Sequence, residues 1–139
     1  MYCGSTVLVI DASVLAVGLL DDGPDGDNVR ERLLGEELAA PALIDLEVAS
    51  VWGGLARAGH LDPRRAGLAL DDLQDLPIQR VEHTPLLPRC WELRDNLTIY
   101  DAAYVALAEA LPATLLTGDR RLARSTGPRC TIEVIKTHR

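Results

Sequence analysis

VLVIDASV, residues 7–14, reads as a buried β-strand that ends on a carboxylate, Asp11, with a helix starting directly behind it. Locally, Asp11 is accounted for as a helix cap, since its side-chain oxygen can accept a bond from an orphan N–H of the first turn. Working outward, short apolar runs with β-branched residues recur at 6–10, 37–41, 78–82, 114–117 and 131–135. Helical patterns fall between them at about 12–20, 27–34, 43–58, 63–75, 86–95 and 100–111, with a short one near 120–125. Each connection between strands is about a dozen residues or more, and none carries the Asn-Gly or Asp-Gly signal of a hairpin. The expectation is an α/β fold of three layers, α/β/α: a parallel, roughly five-stranded sheet covered by helices on both faces.

The chain has 139 residues, 47% of them apolar, so one domain over residues 1–139 with a real core is the expectation. A formal charge of −7 argues against coating nucleic acid or membrane by bulk electrostatics, so any phosphate chemistry has to be local and bridged by cations. No apolar run approaches transmembrane length, and the start MYCGS lacks the features of a signal peptide, which together imply a cytoplasmic protein without a membrane partner. Cys3, Cys90 and Cys130 lie in no CxxC spacing, and neither a disulfide framework nor a zinc site is implied. The acidic stretch DDGPDGD, 21–27, reads as a solvated loop whose last residue, Asp27, caps the next helix.

In a parallel sheet every strand finishes at one edge, and ligands bind in the crevice beyond it. Asp11 follows the first strand, and Asp119, in LLTGDRRL, comes two residues after the fourth. Asp101 opens the helix YDAAYVALAEAL, where Thr98 three residues earlier forms most of a capping box. Glu47 lies inside a helix, where no cap explains it. Ile44, Val48, Val51 and Leu55 form an apolar stripe there, and at about 100° per residue Glu47 sits roughly 60° from its centre, on the shoulder of the buried face. Asp45 projects to the other side and reads as a solvent residue. Each acid taken singly has a bland account as a cap or a surface glutamate; together they do not. Two carboxylates about 5 Å apart repel by roughly 3 kcal/mol at an effective dielectric of 20. A crevice holding four needs protons or cations, and a hard divalent ion, Mg²⁺ or Mn²⁺, bound by oxygen ligands is the economical answer. Carboxylates, such an ion and a phosphate substrate make a phosphodiester-cleaving site.

The chain resembles the PIN-domain nucleases, and within them the VapC-type ribonuclease toxins of bacterial toxin–antitoxin pairs. The resemblance rests on VLVIDASV with Asp11, PALIDLEVASVWGGLARAG with Glu47, LTIYDAAYVALAEAL with Asp101 and LLTGDRRL with Asp119, and it covers essentially the whole chain. It implies a PIN-like parallel sheet with helices on both faces. It also implies that these four acids bind Mg²⁺ or Mn²⁺ and hydrolyse RNA by metal-activated water. Dimerisation and inhibition by a small VapB-like antitoxin follow from the resemblance alone.

Around the four acids, Ser13 and Thr117 stand beside Asp11 and Asp119, where their hydroxyls either hold water or phosphate or simply close the strand ends. Arg120, Arg121 and Arg124 follow Asp119 and form either a basic lip for RNA or the solvated face of a short helix. Gly53 and Gly54 inside a helix imply close approach of another helix, within the protomer or across a dimer interface. Trp52, beside the stripe, reads as core or interface. Other readings fare worse. A haloacid-dehalogenase-type phosphatase needs a second aspartate where this chain has Ser13. A serine hydrolase needs a nucleophile setting that is absent, with His60, His83 and His138 scattered. The rival of a different class is a non-catalytic PIN-like module that binds RNA or a protein partner, and retention of four acids counts against it.

Overall fold

In the computed structural model, which describes residues 7–137, β1 (Val7–Ile10) lies at the centre of a five-stranded sheet ordered β3-β2-β1-β4-β5. Its partners are β2 (Glu37–Pro41) and β4 (Thr114–Thr117), with β3 (Ile78–Val81) and β5 (Ile132–Val134) at the edges, and every pairing is parallel. Leu8, Val9, Ile10, Ala39, Ala40, Leu115 and Leu116 are buried, as continuous apolar strands covered on both faces must be. The strands agree with the sequence expectation to within a residue or two. The readings that touch Met1–Thr6, including Cys3, and His138 lie outside the described residues.

The helices follow from the direction in which the chain moves across the sheet. It steps outward from β1 to β2 and β3 through α1 (Ala12–Leu20), α2 (Pro24–Leu33), α3 (Ile44–Arg57) and α4 (Pro63–Asp75). It then crosses back to β4 through a 3₁₀ turn, Thr84–Leu86, α5 (Leu87–Glu92) and α6 (Ile99–Ala110), and reaches β5 through α7 (Arg120–Arg124). Right-handed crossovers in opposite directions put these two groups on opposite faces. The packing follows suit: α1 rests on α2, α3 and α4, whereas α5 packs on α6, which lies over β1, β2 and β4. Ala102 through Ala108 of α6 are all buried, the outcome its small, apolar sequence predicts. No helix among the described residues is long and apolar enough to cross a membrane.

Several local expectations are corrected. The helix expected to start behind Asp27 starts at Pro24, with Gly23 at its N-cap. Asp21 makes the turn instead, its Oδ1 accepting the Gly23 N–H at 2.6 Å, and Pro24 is suited to the first helical position because its missing N–H would have no partner there. Asp27 lies on the exposed side of α2 and pairs with Arg30 at 2.7 Å. In α3 the buried stripe is Ile44, Val48 and Trp52, while Val51 is 46% exposed. The indole explains this rotation, since a buried Trp N–H needs an acceptor and finds Ala16 O of α1 at 3.3 Å. Asp45 is not a free solvent residue: it accepts two bonds from the Arg80 guanidinium, at 2.7 and 3.1 Å. Among the described residues of the protomer no other helix approaches Gly54, where an added Cβ would meet nothing within 4 Å, and Gly53 would meet only the Arg57 guanidinium at 3.4 Å, so the close approach expected within the protomer is not found.

Candidate active site

The strand order reverses between β1 and β4, because the chain leaves β1 on one side and returns on the other. That switch point opens a crevice at the carboxyl ends of the two central strands. Ile10 pairs with Leu116, so Asp11 and Thr117 leave the sheet side by side. Asp11 keeps strand geometry for one residue more, its N–H donating to Leu116 O at 3.2 Å. Its carboxylate then caps α1 by accepting the Val14 N–H at 3.1 Å.

The cap is therefore real, and it is only part of what Asp11 does. Oδ1 also accepts from Ser13 Oγ at 2.7 Å, and Oδ2 accepts from the hydroxyl of Thr117. Thr117 is fully buried. Its oxygen in turn accepts the Asp119 N–H at 3.0 Å, so a single hydroxyl ties the carboxylate behind β1 to the loop behind β4. The Gly118 N–H reaches Ser13 Oγ at 3.4 Å. Both Ser13 and Thr117 thus meet Asp11 directly.

Asp119 caps α7 through the Arg121 N–H at 2.9 Å, and the Arg121 guanidinium lies 3.4 and 3.5 Å from its two oxygens. Arg120, Arg121 and Arg124 are exposed along α7. Asp101 stands half-buried in the first turn of α6, where Thr98 Oγ1 accepts its N–H at 3.0 Å. Glu47, half-buried on α3, accepts a 2.6 Å bond from the hydroxyl of Tyr104 on α6. Tyr104 was missed by the sequence reading. Its signal was the spacing in YDAAY, which puts it three residues after Asp101 on the same face of the helix.

Electrostatics joins the acids. Burial pushes the Asp11 carboxyl up; the bonds from Thr117, Ser13 and Val14 oppose that, and the charge of Asp101 adds to it. Glu47 is raised by burial, opposed by Tyr104, and raised further by Asp101 and Asp11. Asp101 is raised by burial and by Asp119, with the Thr98 bond and Arg121 pulling the other way. The Tyr104 phenol is pushed far above its usual range by burial, by its bond to Glu47 and by the charges of Glu47, Asp11 and Asp101.

The donor set is all hard oxygen, with no imidazole or thiol among the four groups, and that is the chemistry of a site for Mg²⁺ or Mn²⁺ rather than zinc. Among the described residues no three acidic, imidazole or thiol groups stand arranged around one point as the side chains lie. Glu47 is bonded to Tyr104 and Asp119 to Arg121. Beside the acids, a cleft of about 380 Å³ runs between α1 and α3, lined by Ser13, Asp119, Trp52, Val51 and Leu55 among others.

Comparison with known proteins bears on this architecture. The PIN domain model matches residues 8–127. Ribonuclease VapC9 of Mycobacterium tuberculosis is 39% identical over 129 residues, which cover 93% of this chain and 98% of that protein. The crystal structure of PAE2754 from Pyrobaculum aerophilum matches with a TM-score of 0.68 at 25% identity, covering 91% of this chain and 89% of that one. VapBC2 from Rickettsia felis, solved bound to a DNA fragment from its promoter, matches with a TM-score of 0.66 at 15% identity over 94% of this chain and 100% of that one, a likeness of fold alone. With the model match spanning most of the sequence and a relative this similar along nearly its whole length, the chain belongs to the PIN-domain family, alongside the VapC ribonucleases.

Proposed function

We propose that the protein is an endoribonuclease of the VapC type, cleaving RNA phosphodiester bonds in the crevice beyond β1 and β4, with Asp11, Glu47, Asp101 and Asp119 as the holders of Mg²⁺ or Mn²⁺. The observation that carries this reading is that four carboxylates gather at this crevice close enough to feel one another: the charge of Asp101 pushes Asp11 and Glu47 up, and that of Asp119 pushes Asp101 up. Held by these acids, Mg²⁺ or Mn²⁺ would offset their mutual repulsion and supply Lewis-acid chemistry for phosphodiester hydrolysis by water. Ser13, Val14 and Thr117 hold Asp11 in one orientation and occupy three of its roughly four acceptor positions. Tyr104 does the same for Glu47 by donating its phenolic proton, and because that phenol stays protonated it orients without adding charge. Thr98 fixes the backbone from which Asp101 projects. In this reading the exposed Arg120 and Arg121 contact RNA phosphates next to Asp119.

From its place alongside the VapC ribonucleases we further propose a VapB-like antitoxin as the protein partner, a cytoplasmic setting and a homodimer of single PIN-like domains. The test is cleavage of a cellular RNA pool by protein freed of any partner. Discrete cuts are expected with Mg²⁺ or Mn²⁺, none with chelator, and a loss of at least about 100-fold in Asp11→Asn and Asp101→Asn. Wild type and both variants equally inert, while folded protein still binds RNA or a partner regardless of divalent ion, would hand the function to the non-catalytic binding module.

A further inference from the structure

Asp119 differs from the other three acids in what holds it. Asp11 is held by two hydroxyls and a backbone N–H, and Glu47 by a phenol, all of them neutral donors. Among the described residues Asp119 is the one acid of the four that is paired with a cation. Arg121 grips it from two residues along: its Nε lies 3.4 Å from Oδ1 and its Nη2 3.5 Å from Oδ2, while the backbone N–H of the same residue donates to Oδ1 at 2.9 Å. A carboxylate offers roughly four acceptor positions, so this single residue takes up most of those on Asp119.

The grip is loose by the standard of this molecule. Arg32, Arg80 and Arg89 hold Glu133, Asp45 and Glu109 at 2.7 to 3.1 Å, and none of these arginine side chains is more than 31% exposed. The Arg121 side chain is 91% exposed. An ion pair in that setting contributes little to the fold. The backbone around Asp119 is fixed without it, by the bond from its N–H to Thr117 Oγ1 at 3.0 Å and by the cap bond to α7. The guanidinium can therefore leave without disturbing α7 or the crevice, and it leaves Asp119 with Oδ2 free and Oδ1 bound by the backbone alone.

We infer that Arg121 is a latch on the ion site: its guanidinium and a divalent ion compete for the Asp119 carboxylate, so the ion concentration at which the site fills is set in part by how firmly Arg121 holds that acid. Two cations on one carboxylate repel each other, which makes the competition mutual. The charge of Arg121 also reaches Asp101, which Asp119 pushes the other way, so the latch bears on two of the four acids. The inference rests on the nuclease reading and adds the regulation of its site.

The test reads Mn²⁺ binding directly, by calorimetry on RNA-free protein. Arg121→Ala is expected to tighten binding about 2- to 5-fold, the range of an exposed ion pair. Arg120→Ala, which removes the same charge one residue away, should tighten it by less than half as much. In an Asp119→Asn background Arg121→Ala brings no gain, because the charge that Arg121 and the ion compete for is gone. Thermal unfolding of all variants checks that they fold. Cleavage of cellular RNA by Arg121→Ala should reach half its own maximum at a correspondingly lower Mn²⁺ concentration. Binding that is unchanged or weaker in Arg121→Ala, equally tightened in Arg120→Ala, or still tightened by Arg121→Ala in the Asp119→Asn background would overturn the latch, and it would leave the nuclease standing as long as the wild type cuts RNA with Mn²⁺. A wild type that neither takes up Mn²⁺ nor cuts RNA in its presence would overturn the nuclease reading, and the latch with it.

Discussion

At the residue scale, the site is built by hydroxyls that hold carboxylates, and Tyr104 is the sharpest case. It is buried in α6, its hydroxyl is 2.6 Å from Glu47 Oε1, and it shares its helix with Asp101. Removing the hydroxyl keeps the ring packing and takes away the group that orients Glu47. On the proposed role of Glu47 in holding a divalent ion, Tyr104→Phe is expected to fold normally and to lower RNA cleavage about 10- to 100-fold, with more divalent ion needed for half-maximal rate. Cleavage measured across a titration of Mn²⁺ checks it, and an unchanged ion requirement would leave Tyr104 a core residue only. The four acids were legible in the sequence because the chain itself places them: two stand at strand ends, one at a helix start and one on the shoulder of an apolar stripe. Tyr104 and the Thr117 bond to Asp11 were not, since a tyrosine in an apolar helix and a threonine at a strand end are ordinary core residues until the fold shows what faces them.

At the element scale, α2 and α3 show where pattern reading fails and what the glycines are for. Gly26 in α2 packs against the turn at Asp21, and a Cβ there would lie 1.9 Å from the Asp21 carbonyl oxygen. The start of α2 was misread because Asp27 is a good capping residue, while the true cap is backbone-driven, a glycine followed by proline with Asp21 bridging the turn. Gly54 in α3 is the opposite case, with nothing for a Cβ to meet. The two glycines make paired predictions of opposite sign. Gly26→Ala destabilises by about 1–3 kcal/mol or more through overpacking against backbone, whereas Gly54→Ala stabilises by about 0.5–1 kcal/mol, the helix-propensity difference. Thermal unfolding of both variants in parallel is the measurement. A destabilised Gly54→Ala would mean that α3 meets a second chain in solution at that point, which is the form in which the expected close approach would survive.

At the scale of the whole molecule, the layers are tied by arginine–carboxylate pairs that no local pattern reveals. Arg32 of α2 reaches Glu133 of β5 with bonds of 2.7 and 2.9 Å across a sequence separation of 101 residues, and Arg89 of α5 grips Glu109 of α6 at 2.8 and 3.1 Å. A parallel sheet with helices on both faces could be read from apolar runs and connection lengths, but which surface arginine meets which acid depends on the finished fold. Glu109 is the better probe of these ties because it also accepts the Arg129 N–H at 2.7 Å and so joins α5, α6 and the segment leading to β5. Burial pushes its carboxyl up, yet the bonds from Arg89 and Arg129 outweigh that and hold it below its ordinary value of 4.5. Because the folded value is the lower one, ionised Glu109 stabilises the fold fully above the unfolded value, and the contribution fades as pH falls through the folded value. Glu109→Gln keeps the shape and loses the charge, so it should cost about 1–2 kcal/mol at pH 7, a drop of about 3–6 °C in midpoint. The gap between wild type and variant should close steadily as pH is lowered from 5 to 3. Glu109 stands near the end of α6 opposite to the one that carries Asp101, and RNA cleavage at temperatures well below the midpoint should be unchanged. A gap that persisted undiminished at low pH would assign the Glu109 contribution to packing rather than to charge.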